Sequence, residues 1–199
     1  MREKILGIAS EQFSQYGVRA ITMEDIARLA GISKKTIYQE FVDKKQLVKE
    51  AFSLALKEDQ DTLKKIMDGE DGVIEHLVHT SKMVRERLAT LNPMVLFEIQ
   101  KYFPEVWEMF NEFKEEIIVT DIVNVIEKGK ALGYFRPEIN AKILANMRMD
   151  QISAAMNPSN NNRRDVSLLA MHMEMLDHFL HGIFTEKGRQ AYLQKQNSN

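Results

Sequence analysis

Residues 22–41 read TMEDIARLAGISKKTIYQEF, and this pattern predicts two short helices that meet at a glycine. Thr22 is a favourable N-cap, and Asp25 stands at the acid position of a capping box. Gly31 is suited to end the first helix, and Ser33 is suited to cap the second. The predicted buried stripe of the first helix consists of Met23, Ile26, Ala27 and Ala30. Two short helices around a glycine turn form a candidate helix-turn-helix motif.

Lysines occupy the first turn of two predicted helices. Lys34 and Lys35 follow the cap of the second helix, and Lys44 and Lys45 follow Asp43, which caps another. A cation in the first turn opposes the helix dipole and costs about 0.3–1 kcal/mol. Because this placement occurs twice, we expect an anion at both helix starts, where backbone N–H and ammonium groups hold phosphates. The alternative is that these lysines only decorate a solvated surface.

Charge is distributed unevenly along the 199 residues. The chain carries 27 Lys and Arg against 29 Asp and Glu, and the net charge of -2 argues against a protein coated in positive charge. Residues 1–50 hold nine basic and seven acidic residues, whereas the remainder holds 18 and 22, so the basic character is local. The chain contains no Cys, which excludes disulfides, Cys-ligated zinc and thiol nucleophiles.

The segment from Thr22 to Phe41, with the Lys-Lys-Gln-Leu at 44–47, closely resembles the DNA-binding domain of the tetracycline-repressor (TetR) family. The family pattern has Ile-Ala on the first helix, Ala-Gly-Val-Ser at the turn, Thr-Leu-Tyr before a Phe, and a Lys opening the next helix. The resemblance implies an all-α protein. Residues 1–48 would form an N-terminal three-helix helix-turn-helix DNA-binding domain, and residues 49–199 a larger helical ligand-binding and dimerisation domain.

The resemblance also implies which residues contact DNA. It places a recognition helix, from about Ser33 to Glu40, in the major groove. The implied DNA-binding residues are Thr22, Ser33, Lys34, Lys35, Thr36, Tyr38, Gln39 and Lys44. Lys35 and Gln39 are the candidate base readers. The candidate phosphate anchors are Lys44, Tyr38 and Thr22.

This chain departs from the family pattern in two places. Lys35 replaces a residue that is often small in the family, which adds a long cation at the groove. The second departure is Gln39-Glu40, which stands where many members have basic or aromatic residues, and DNA repels the charge of Glu40 unless it pairs with a base amine or a lysine. For Tyr38, the alternative to a phosphate contact is a ring that packs over the turn at Gly31.

The rest of the chain predicts further helices. They are expected from Asp43 to about Met67, over 73–91, after Pro93, from Pro104 to near Gly133, over 140–156 and over 166–184. Segment 117–126 is rich in β-branched residues and reads as a strand on propensity, but its apolar residues recur at steps of three and four, so we predict a buried helix. Residues 157–162 are expected to form a loop without fixed structure, and the tail after Leu193 is expected to fray.

The resemblance implies that the middle helices enclose a small-molecule pocket and that the last two major helices pair with those of a second subunit in a homodimer. The candidate pocket residues are Met83, Phe97, Phe103, Trp107 and Phe110. These large side chains suit an apolar or aromatic effector, and the alternative is ordinary core. The methionines expected to pack near the interface are Met147, Met149, Met156, Met171, Met173 and Met175.

Glu174, His178 and His181 share one helical stripe and form a candidate zinc site without an evident fourth ligand. The alternative is a polar rim, or histidines that pair across the two-fold axis. We predict no metal, no other cofactor and no enzymatic activity, because no catalytic motif is recognised. The start of the chain lacks a signal peptide, and no apolar run reaches about 18 residues, so we expect a cytoplasmic protein with no membrane association.

Together, these observations predict a sequence-specific DNA-binding transcriptional regulator. It is expected to be a repressor that a small hydrophobic ligand releases from a pseudo-palindromic double-stranded DNA operator. Two alternatives remain open. One is a helical carrier of small molecules without DNA binding, and the other is an enzyme built around the stripe of Glu174, His178 and His181.

Overall fold

The computed structural model describes residues 1–68, 72–156 and 166–196. Its regular elements are helical, which confirms the predicted all-α fold; the described residues contain one isolated β-bridge, between Phe135 and Phe184. The predicted loop at 157–162 lies outside the described residues. The described residues fold as two compact units, one formed by residues 1–60 and 90–113, and the other by the described residues within 61–89 and 114–196.

Where the sequence analysis gives the bounds of a helix, the described helix agrees with them to within a few residues, whereas α11 was not predicted. They are α1 (Arg2–Tyr16), α2 (Met23–Ala30), α3 (Lys34–Glu40), α4 (Lys44–Asp68), α5 (Val73–Thr90), α6 (Met94–Tyr102), α7 (Pro104–Phe113), α8 (Thr120–Ala131), α9 (Ala141–Met156), α10 (Leu168–Ile183) and α11 (Glu186–Gln196). The predicted domain boundary between residues 48 and 49 falls inside α4 and stays a prediction.

The core of the first unit lies beneath α1, α2 and α3. Ile5, Ala9 and Phe13 are buried along one face of α1, at the helical spacing that the sequence displays. They share a core with the predicted stripe of α2 and with Ile37 and Phe41. This core also includes Val95, Ile99 and Val106, so α6 and α7 belong to the same unit as the helix-turn-helix.

The β-branched segment after α7 is helical, as its spacing predicts, but its first part is a π-helix. Lys114–Val119 forms this wider turn, and α8 continues directly from Thr120. A π turn places one more residue in each hydrogen-bonded ring than an α turn does. The helix predicted from Pro104 to near Gly133 is therefore interrupted by a change of helical type rather than by a break.

The end of the chain is more ordered than the sequence predicts. α11 runs to Gln196, past the fraying expected after Leu193. The backbone N–H of Gly188 donates to the Thr185 hydroxyl at 3.1 Å, and a Cβ at Gly188 would lie 2.0 Å from the Tyr134 carbonyl oxygen. Tyr192 is buried, with its ring centroid 5.3 Å from that of Phe184. Burial of one aromatic ring and this close backbone approach hold α11 in place.

Candidate DNA-binding site

The start of α2 is fixed by the predicted capping box. The Thr22 hydroxyl oxygen accepts from the Asp25 backbone N–H at 3.1 Å, and the Thr22 backbone N–H donates to Asp25 Oδ2 at 3.0 Å. The Thr22 hydroxyl also donates to this carboxylate at 2.6 Å. Hydrogen bonds from the Thr22 side chain and backbone, followed by one from Arg28, lower the pKa of Asp25 to about 2. The carboxylate is thus ionised whenever the protein is near neutral pH.

The turn between α2 and α3 requires the glycine. Gly31 has φ 71°, in the left-handed region, and its N–H donates to the Arg28 carbonyl oxygen at 3.1 Å. The next N–H, that of Ile32, donates to the Ala27 carbonyl oxygen at 2.9 Å. Ser33 then caps α3 by accepting from the Thr36 N–H at 3.1 Å, as predicted.

α3 has one buried and one exposed side. Ile37 and Phe41 are fully buried beneath it. On the other side, Tyr38 is 43% exposed, and Lys35 and Gln39 are exposed too. Lys35 and Gln39 have no hydrogen bond or ion pair with any residue in the described part of the chain, so both side chains are available to a partner.

Lys34 differs from its neighbour Lys35. Its ammonium group forms an ion pair with the Glu24 carboxylate of α2 and lies 5.9 Å from the Tyr38 ring centroid. The hydrogen bond with Glu24 raises the pKa of Lys34 and lowers the pKa of Glu24. One anion expected at the start of α3 is therefore a side chain of the protein itself, which sequence reasoning missed.

Lys44 is held at the start of α4. Its Nζ donates to the Arg19 carbonyl oxygen at 3.4 Å. Burial lowers the pKa of Lys44, while the charge of Glu98 opposes this change and that of Arg19 adds to it. Asp43 caps α4 by accepting from the Gln46 N–H at 2.8 Å, as predicted. Lys44 thus has a fixed position, whereas Lys35 extends into solvent.

Glu40, the acidic departure from the family pattern, is paired inside the protein. Arg2 donates to the Glu40 carbonyl oxygen, and its guanidinium lies 4.0 Å from the Glu40 carboxylate. The same guanidinium stacks on the Phe41 ring, 4.1 Å from the centroid. Arg2 therefore partly neutralises the charge that the sequence analysis expected a lysine or a base to balance.

The hydroxyl groups of the predicted site are already engaged. The Thr22 hydroxyl belongs to the capping box, and the Ser33 and Thr36 hydroxyl oxygens lie 2.9 Å apart. Since only one hydroxyl of the Ser33–Thr36 pair donates to the other, a phosphate contact requires exchange of an internal hydrogen bond for Thr22 and for the donor of that pair, and not for the accepting hydroxyl. The assignment of Thr22, Ser33 and Thr36 to DNA contacts stays a prediction.

Residues 92–105, which include α6 and the start of α7, contact the helix-turn-helix domain from within the same unit, through residues that sequence reasoning did not select. The Asn92 N–H donates to the Ser14 carbonyl oxygen at 2.7 Å, and Glu98 accepts from the Arg19 backbone N–H at 3.0 Å. Lys49 and Glu105 form an ion pair at 2.9 Å. These contacts link residues about 55 to 80 positions apart in the chain, so no local sequence pattern predicts them.

The candidate pocket residues fall in both units. The first unit contains Phe97, Phe103, Trp107 and Phe110, whereas Met83 belongs to the second. The Trp107 and Phe110 ring centroids are 5.4 Å apart, and Phe103 and Trp107 pack against the core of the first unit. The structure thus brings Trp107 and Phe110 together, and a pocket role for the five residues stays a prediction.

The residues of the candidate zinc stripe do not converge. Glu174, His178 and His181 are exposed on α10, and His181 Nδ1 lies 2.9 Å from the Asp177 carbonyl oxygen. Within residues 1–68, 72–156 and 166–196, no group of three His, Asp or Glu side chains is arranged to hold a metal ion. The geometry of the described residues therefore gives the zinc alternative no support.

The helix-turn-helix matches a known family. Residues 5–51 match the model described as bacterial regulatory proteins, tetR family, and this range contains the capping box, Gly31 and all of α3. Residues 5–51 therefore carry the DNA-binding domain of the TetR family. The chain is a DNA-binding transcriptional regulator, and these similarities do not favour the carrier alternative.

Individual relatives show the same likeness at different lengths. YhgD, an HTH-type transcriptional regulator of Bacillus subtilis, is 42% identical over 57 residues, which are 29% of this chain and 30% of YhgD. KstR2, an HTH-type transcriptional repressor of Mycolicibacterium smegmatis, is 24% identical over 160 residues, which cover 72% of this chain and 71% of KstR2. A solved TetR-family transcriptional regulator from Agrobacterium tumefaciens has a TM-score of 0.73 at 19% identity, over 92% of this chain and 97% of that one. The shared fold therefore extends along nearly the whole chain.

Among the described residues, no helix is both long enough and apolar enough to span a membrane.

Proposed function

We propose that this TetR-family regulator is a repressor that binds a pseudo-palindromic operator as a homodimer. A small apolar or aromatic molecule, bound by the helical domain over residues 49–199, would release it. The observation that supports DNA recognition best is the exposed side of α3, where Lys35 and Gln39 have no partner among the described residues. A side chain without internal partners is available to hydrogen-bond base edges in the major groove.

The two copies of α3 would enter successive major grooves on one face of DNA. This arrangement requires half-sites about 34–36 Å apart, one turn of the double helix. Lys44, held by the Arg19 carbonyl, would anchor a phosphate and fix the orientation of α3 without reading sequence. Lys35 and Gln39 would then carry the base preference.

α4 offers a route by which an effector could act on the DNA-binding helices. Its residues 44–60 belong to the first unit and its residues 61–68 to the second. Leu47 and Val48 are buried in the same core as Ile37 of α3. A ligand that shifts the second part of α4 would therefore also displace α3, which is an equilibrium coupling between two sites.

A mobility-shift assay with the promoter region of the protein's own gene tests this function. Specific binding should weaken steeply with salt, by about 10³–10⁵ between roughly 50 and 200 mM if six to ten phosphates are contacted. Affinity that is flat with salt, or equal for promoter and scrambled DNA, would show that the protein is not an operator-binding regulator.

Paired variants test the roles of individual residues. Lys44→Ala should weaken binding to all sequences similarly, whereas Gln39→Ala should change the preference among sequences. Lys128→Ala, which removes an exposed lysine in the second unit, is the matched control and should leave both properties unchanged. Equal loss on every sequence for Lys44→Ala and Gln39→Ala would refute this division of roles.

A further inference from the structure

Arg148 on α9 is a buried cation without a counter-charge in the described chain. The residue is 4% exposed, although arginine is almost never buried without a partner. Its Nη2 lies 3.0 Å from His172 Nε2, and its Nη1 donates to Gln151 Oε1 at 3.5 Å. No Asp or Glu within residues 1–68, 72–156 or 166–196 forms an ion pair with it.

His172 on α10 does not provide the missing charge. A guanidinium has only donors, so the Nε2 that faces Arg148 is an acceptor and the imidazole is neutral, with its proton on Nδ1. Burial, together with the charge of Arg148, lowers the pKa of His172 to about 4. Burial lowers the pKa of Arg148 to about 10, which leaves it charged near neutral pH. The pair therefore carries a single positive charge.

The hydrogen-bonding capacity of Arg148 is largely unused. A guanidinium has five N–H groups, and the two contacts above leave roughly three of them without an acceptor among the described residues. Removal of an ion from water is unfavourable unless an opposite charge and further hydrogen bonds offset the loss of hydration. Among the described residues, two hydrogen bonds to neutral side chains and no opposite charge offset the loss of hydration of Arg148.

The surroundings of this pair are apolar. Ala145, three residues before Arg148, is fully buried and shares a small core with Met149 and Val119. Ile152, four residues after Arg148, packs against the same core, and positions three and four apart lie on one side of a helix. Met171, next to His172, is buried as well. These surroundings would therefore favour an anion that carries an apolar group.

We propose that Arg148 and His172 form the head-group site of the effector and that the effector is a carboxylic acid with an apolar body. This inference rests on the proposed function, because it presupposes a ligand-responsive regulator. A carboxylate presents two oxygens that match two parallel N–H groups of a guanidinium. Its single charge balances that of the pair, whereas a phosphate dianion would leave one negative charge buried.

Calorimetric titration of the full-length protein with acids and their uncharged amides tests the proposal. The probes are hexanoate, decanoate, benzoate and phenylacetate, each compared with its primary amide. At least one acid should bind about tenfold more tightly than its amide, and Arg148→Met should reduce this ratio to about one. Arg148→Lys should keep part of the preference, since it retains the charge but loses the paired donors.

The matched control is Arg136→Met, which removes an exposed arginine of the same unit. It should leave the ratio of acid to amide affinity unchanged. Failure of every acid to bind more tightly than its amide, or an undiminished preference in Arg148→Met, overturns the proposal.

Thermal unfolding without ligand provides a second test that does not require the right acid. The double variant Arg148→Met with His172→Leu removes both partners of the buried hydrogen bond and fills the space with apolar atoms. If the buried charge of Arg148 does not stabilise the ligand-free protein, this variant should unfold at an equal or higher temperature than the natural chain. A clear decrease in Tm would show that the pair serves stability and would overturn the proposal.

The mobility-shift assay separates this inference from the proposed function. A natural chain that does not bind its promoter specifically refutes the proposed function. A natural chain that binds DNA specifically, but whose acid preference does not depend on Arg148, refutes only the head-group site.

Discussion

Substitution of alanine for each of two glycines, Gly31 and Gly7, should change the free energy of unfolding in opposite directions. Apart from the neighbouring residues in the chain and the local helix backbone, a Cβ added at Gly31 or at Gly7 would meet no atom of the described residues within 4 Å. Only Gly31 has a positive φ, 71°, whereas Gly7 lies inside α1 and is exposed. The comparison therefore isolates the backbone conformation from steric contact.

The expected magnitudes follow from the backbone alone. An L-residue in the left-handed region costs about 1–2 kcal/mol, so Gly31→Ala should lower the free energy of unfolding by that amount. The turn has little freedom to relax, because the Ile32 N–H bond to the Ala27 carbonyl oxygen depends on this conformation. Gly7→Ala should raise the free energy of unfolding by about 0.5–1 kcal/mol, since glycine weakens a helix interior.

Urea unfolding followed by circular dichroism measures both changes, and thermal unfolding provides a check. For a chain of this size, 1 kcal/mol corresponds to a shift in Tm of about 2–4 °C. Gly31→Asn should lie between Gly31→Ala and the natural chain, because asparagine tolerates the left-handed region better. A Gly31→Ala protein as stable as the natural chain, or a Gly7→Ala protein less stable than it, would refute this reasoning.

Three further predictions concern the charged groups. Glu24→Gln should free Lys34 and steepen the salt dependence of DNA binding in the mobility-shift assay, and an unchanged slope would argue against this role of the pair. The pKa of Asp25 is lowered from 3.8 to about 2, so the stability that this carboxylate contributes is present above pH 3.8 and lost as the pH falls towards 2. The difference in free energy of unfolding between the natural chain and Asp25→Asn should therefore shrink over that range. The pKa of His172 is lowered from 6.5 to about 4, so the unfolded chain binds the proton at a higher pH than the folded chain does. The free energy of unfolding should therefore fall as the pH decreases from 6.5 to 4. If the urea midpoints of the natural chain and of His172→Gln change equally with pH over this range, the prediction is wrong.

The start and end of each helix in the recognition motif were predictable from sequence. The capping contacts join residues three positions apart: Thr22 with Asp25, Ser33 with Thr36, and Asp43 with Gln46. Such contacts form within a single helical turn, so residue type and spacing contain the information they need.

Which cations remain available to DNA was not predictable in this way. Lys34 and Lys35 are adjacent and chemically identical, yet only Lys34 reaches Glu24 of the preceding helix. Glu40 likewise finds its partner in Arg2, 38 positions away along the chain. The angle between helices determines these pairs, and that angle depends on packing beneath Ile37 and Phe41.

The fold class, the helix-turn-helix and its caps were present in the amino-acid sequence because short-range hydrogen bonds and helical periodicity produce them. Packing between distant segments determined the composition of each unit and which charged side chains are buried. It joined α6 and α7 to the unit of the DNA-binding helices, and it buried Arg148 against His172, 24 positions away. Burial is a property of how helices pack against one another, so a solvated arginine and a buried one look the same in sequence. The uneven distribution of charge along the chain indicated a local basic face, but the packing of the helices determined which of its cations are free to bind.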